Sequence, residues 1–147
     1  VRAFGEYRRI EPLQDFLGFD DITVQGLAHY GGNLTYYVPI TTQGGDVTVH
    51  LPHYAGVAVK AKLADLQQYL VYAPYRVTFH DVPAGEHTLE LTLLGHRNNS
   101  FGPVHLADPK NLWIGPDAWR SVGDSWTESY RFKPLGITSA PRITEEI

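Results

Sequence analysis

Short runs in which apolar and polar side chains alternate, each closed by Gly, Pro or Asn, limit this chain to very few kinds of fold. Tyr75, Val77 and Phe79 alternate with Arg76, Thr78 and His80, and further on Leu89, Leu91 and Leu93 share one face of His87 to Leu94. A period of two marks a strand with one side buried. Pro83-Ala84-Gly85-Glu86 lies between the two runs, so a β-hairpin is expected there. It opens into a polar loop of His96, Arg97, Asn98, Asn99 and Ser100, closed by Phe101-Gly102-Pro103 and His105. A rigid mount followed by a cluster of hydrogen-bonding side chains suits binding better than catalysis.

The same grammar runs through the rest of the chain. Ile22 to Gln25 reads as a strand ended by Gly26, and Leu34 to Ile40 as another, whose Pro39 argues for a sheet edge or a bulge. Gln43-Gly44-Gly45-Asp46 is a hairpin signal before Val47, Val49 and Leu51. Val57, Val59 and Ala61 give the next strand. Ala61 to Tyr72 allows a helix by the spacing of Leu63, Leu66 and Leu70, but the short strands around it favour a hairpin turning at Ala64-Asp65. Trp126 to Lys133 reads as the closing strand, with Trp126, Tyr130 and Phe132 on its core face. Residues 1–18 are expected to be a linker or edge segment, 19–137 the domain, and 138–147 a tail. Roughly eight strands joined by short turns predict an all-β, antiparallel sandwich, with a jelly roll as the best match.

The 147 residues suffice for one domain with a real core. A net charge of −4 supplies no basic field for a phosphate backbone, which argues against nucleic acid and leaves a neutral polar ligand open. There is no Cys, hence no disulfide, thiolate metal site or Cys nucleophile. No run approaches the roughly 18 apolar residues of a membrane span, and no signal peptide is evident. The chain opens on Val1 and not on Met, which points to a piece of something longer.

Catalytic patterns are poor. Most Asp residues stand beside Gly, Pro or another turn former, where Asp ordinarily shapes the turn, and no pair of carboxylates stands out for glycoside chemistry. His50-Leu51-Pro52-His53 has a ligand-like spacing but no third ligand to join it. A structural calcium fits the loop carboxylates and carbonyls in type, although nothing in the sequence locates it. Sugar recognition is better served. It needs flat aromatic faces and planar hydrogen-bonding groups, and Tyr72, His96, Arg97, Asn98, Asn99, His105 and Trp113 provide both at loop positions. The competing reading of Arg97, Asn98 and Asn99 is loop bracing, with their polar groups spent on backbone.

Several segments resemble the galactose-binding-like accessory sandwich of large bacterial glycoside hydrolases related to family 2. FDDITVQG at 19–26 and YGGNLTYYVPI at 30–40 are similar to its opening strands, and VTVHLPHYAGVAVKAKL at 47–63 to its next pair. The segment 73–105 resembles its "PY" hairpin and polar loop, and 113–137 its closing strand. Ala64-Asp65 replaces the usual Asn-Gly turn, and His87 stands where Asn is usual. The resemblance implies a non-catalytic module in a larger glycoside hydrolase. Its expected partners are an oligosaccharide or polysaccharide, or the parent's catalytic domain in cis, with the compartment set by that parent. The only cofactor left open is the structural calcium already named.

Overall fold

A computed structural model describes residues 17–108, 115–119 and 122–146. Two antiparallel sheets pack face to face. One has the order β1 (Leu34–Thr42), β6 (Gly85–Leu94), β3 (Ala58–Leu63), β4 (Leu66–Leu70). The other has the order β5 (Arg76–Val82), β2 (Gly45–His50), β7 (Arg142–Glu146). The all-β sandwich expected from the alternation is therefore present. Leu89, Leu91 and Leu93 of β6 and Val59, Ala61 and Leu63 of β3 meet Val47 and Val49 of β2 and Phe79 and Val82 of β5 in one core. Each of these Val, Leu and Phe side chains contributes about 1.5–3 kcal/mol by leaving water. Here Pro39 sits on β1, an edge strand, where its missing N–H costs the ladder least. Residues 61–72 form the β3–β4 hairpin and not a helix, turning at Ala64, whose φ is +50°.

The turn at Pro83 does not close a hairpin. β5 and β6 lie in different sheets, as do β1 and β2 across Gln43-Gly44. Residues 34–50 and 76–94 instead form one long antiparallel ribbon, paired from Leu34↔Leu93 to Thr42↔Gly85 and onward from Gly45↔Val82 to His50↔Arg76. The ribbon is folded over at its middle, so its two halves become facing layers. Positive φ at Gly44, Gly45 and Gly85 lets both chains bend together there. Local turn residues signal a change of direction in either arrangement, but only the pairing partner distinguishes a hairpin from a corner.

Just beyond the fold, Val47 pairs with Phe79, so Asp46 alone faces His80 and Asp81 in a β-bulge. Asp81 adopts φ +54°, a conformation Asp tolerates better than most residues. The Asp46 carboxylate holds both bulge residues, accepting His80 Nδ1–H at 2.7 Å and the Asp81 N–H at 3.2 Å. The His80 hydrogen bond, aided by that from Asp81, lowers the carboxyl pKa below its ordinary 3.8. A group favoured in its charged form adds stability above its ordinary pKa and loses it as pH falls through the folded value. Asp46→Asn is therefore expected to melt earlier than the native chain near neutrality. The gap should close as both are titrated to below the carboxylate range, and a gap independent of pH would contradict this role.

Three other segments depart from the sequence reading. Ile22–Val24 is a 3-10 turn and not a strand. Asp21 Oδ1 caps it through the Thr23 N–H at 2.9 Å, the Ile22 N–H goes to Leu135 O at 2.8 Å, and Ile22 O takes the Gln25 and Leu27 N–H groups, so these groups are spent within the turn and its anchor. Residues 126–133 form no strand, only a bridge between Trp126 and Leu106. There Thr127 Oγ1 takes the Ser129 N–H at 3.2 Å and interrupts the extended run. Finally, the expected tail contains β7, which pairs along β2 from Asp46↔Glu146 to His50↔Arg142. Its single apolar side chain, Ile143, packs on the core, and that is too little periodicity to read from sequence.

Candidate functional site

β6 and the ribbon deliver the polar loop to one end of the sandwich, beside the start of β1 and of β3, as Leu34↔Leu93 and Ala58↔Leu94 show. The loop is fastened there by its neighbours. The Gly95 N–H reaches Asn33 Oδ1 at 3.2 Å, and Ser100 Oγ–H donates to His29 O at 2.6 Å. His29 Nδ1 lies 3.1 Å from Asn99 O; a carbonyl only accepts, so Nδ1 carries the proton. Asn98–Phe101 winds into a single helical turn, α1.

The segment 133–137 passes beneath this loop and joins it to the rest of the fold. Buried Asn99 grips both backbone polar groups of Lys133: Nδ2 donates to its O at 2.8 Å and Oδ1 accepts its N–H at 2.9 Å. The Leu135 N–H donates to Asp21 Oδ1 at 3.1 Å, and Gly136 exchanges two backbone hydrogen bonds with Ala55 at 2.8 and 2.9 Å. Gly136 has φ +147°, and a Cβ there would run into Asp20 O. His96 Nε2 donates to Pro134 O at 2.9 Å, which leaves Nδ1 as a buried acceptor with no hydrogen-bond partner.

Between α1 and this segment lies a recess of about 440 Å³ lined by His96, Arg97, Asn98, Phe101, Gly102 and Lys133. That volume falls in the range of small-ligand sites. Phe101 is 68% exposed at its rim, a flat apolar surface beside an amide and two cations. Because His96 Nδ1 is closed off from solvent, His96 forms the wall, and direct contacts fall to Arg97, Asn98, Phe101 and Lys133.

The structure thus unites His96, Arg97 and Asn98 of the predicted set and separates the others. Asn99 is adjacent in sequence but turned inward, its amide consumed by backbone. His105 belongs to an aromatic row on the flank. Its ring lies 4.5 Å from that of Tyr130 and 5.7 Å from Trp126, and Tyr130 stacks on Phe132 at 5.2 Å with 4° between planes. His29 meets Phe132 edge-on at 4.8 Å and completes the row. Trp126, expected in the core, belongs here instead, half-buried, because the inter-sheet space is already filled by aliphatic side chains and Phe79. Tyr72 is exposed just past β4, in a turn closed by the Tyr75 N–H on Tyr72 O at 2.9 Å, and makes no ring contact with the others. Trp113 lies outside the described residues. Sequence reasoning passed over Phe101 and Lys133 as site residues. Phe101 had a signal, an aromatic just after the polar run; Lys133 had none, since only folding brings it near.

Among the described residues no three His, Asp or Glu side chains gather closely enough to hold a metal ion. No family model, curated protein or solved structure matches the chain.

Proposed function

We propose that the chain is a non-catalytic carbohydrate-binding module, a galactose-binding-like jelly roll carried by a larger glycoside hydrolase. The recess at the sandwich end carries this reading, because it joins the Phe101 face to Asn98 and Arg97. A pyranose offers an apolar C–H face and a ring of hydroxyls, and those residues answer both. The folded ribbon supports the jelly-roll topology, since a long antiparallel pair wrapped over itself is how such a sandwich is built. Titration with a panel of plant and microbial oligosaccharides should release heat, and Phe101→Ala and Asn98→Ala should each weaken binding about tenfold, as expected for losing a stacking face or a buried polar contact. Silence across the panel would remove the proposal.

A second reading rests on a different observation. Trp119, Val122 and Tyr130 are 54%, 75% and 44% exposed and, with Phe101, fall in the excursion between β6 and β7. Apolar surface of this kind suits a protein neighbour, here the parent's catalytic domain, against which the module would act as a buttress. Such a module would bind that domain and give no heat with sugars.

A further inference from the structure

Resting on the glycan reading, we infer that the recess selects an anionic sugar unit, a uronate or a sulfated hexose, over its neutral counterpart. Arg97 and Lys133 both line it, and no carboxylate does. Among the described residues neither cation has an ion-pair partner; the ion pairs there are Lys62–Glu90 and Asp46–His80, both elsewhere. The chain's net charge of −4 is thus no guide to this surface, where two basic side chains line one small volume. A neutral ligand would leave both exposed cations to water alone. An anion would accept charge-assisted hydrogen bonds from them, roughly twice as strong as neutral ones. A carboxylate additionally matches the planar fork of the Arg97 guanidinium, which favours the uronate of the two sources. The remaining contacts stay those of a sugar: hydroxyls toward the Asn98 amide and a C–H face toward Phe101.

The test is calorimetric titration of the full chain with three oligosaccharides of equal length: oligogalacturonate, a sulfated galactan fragment and neutral galactan. At least one anion should bind about tenfold more tightly than the neutral oligomer at low salt, the step expected when an ionised acceptor replaces a neutral one. The stronger anion identifies the source, and its advantage should shrink as salt rises. Arg97→Gln and Lys133→Gln should each erase most of that advantage, whereas Lys62→Gln, on the outer sheet face, should keep it. Neutral galactan binding as well as both anions would overturn the inference and leave the glycan reading standing. Absence of heat from all three would also overturn the inference, and the glycan reading would then stand or fall by the wider panel.

Discussion

Asn99→Ala is expected to lower the unfolding free energy by about 2–4 kcal/mol, because two backbone groups lose their partner at once and each costs about 1–3 kcal/mol when left buried and unpaired. Asn99 is buried, and its amide satisfies both the N–H and the O of Lys133. Only an amide side chain presents a planar donor and acceptor together, and the other one, Gln, carries an extra methylene. Asn99→Asp separates the two bonds. The carboxylate still accepts the Lys133 N–H but faces the Lys133 oxygen with no donor, so it should lose at least as much stability as alanine near neutral pH. Urea unfolding with an unchanged slope and a lower midpoint would report a pure stability loss. The same variants should lose ligand heat even where folded, since Lys133 and Asn98 line the recess on either side of this clasp. An Asn99→Ala midpoint equal to that of the native chain would show that the loop stands without it.

That clasp also marks where sequence stops being informative. Asn98 and Asn99 are identical in type and adjacent, and either could face a sugar or a backbone. What separates them is a contact with a residue 34 positions away, which no local pattern encodes. The strands themselves were legible, because burial of one face imposes period two: Leu89, Leu91 and Leu93 are buried and their β6 neighbours are not. Pro39 correctly marked an edge, and Ala64-Asp65 correctly marked a reversal. Pairing was not legible. Gly44 and Gly85 announce bends, yet the same residues serve a hairpin within one sheet and a corner between two. β7 escaped notice for a related reason: as an edge strand it buries only Ile143, so Arg142, Thr144, Glu145 and Glu146 read as tail. The aromatic run at 126–132 misled in the opposite direction. Its alternation is real in the parallel rings of Tyr130 and Phe132, but it serves a flank stack and not a core.

Phe79→Ala should be the most damaging single truncation, costing about 3–5 kcal/mol by lost transfer energy and by the cavity left in a space bounded by two sheets. Phe79 is the largest of the fully buried side chains and the only aromatic among them in the described residues. Its place in the folded ribbon makes the variant diagnostic as well as severe. Opposite Phe79 on the neighbouring strand stands Val47, whereas a plain hairpin turning at Pro83-Ala84 would put it opposite Thr88. In the sandwich, Thr88 lies on the outer, exposed side of β6, opposite Pro39. Residues in direct contact are non-additive by about 0.5–3 kcal/mol, and distant ones add to within about 0.5 kcal/mol. The cycle built from Phe79→Ala and Val47→Ala should therefore show clear coupling, and the cycle built from Phe79→Ala and Thr88→Ala should be additive. The reverse result would unfold the ribbon into a hairpin, place β5 and β6 in one sheet, and remove the corner that sets the two layers face to face.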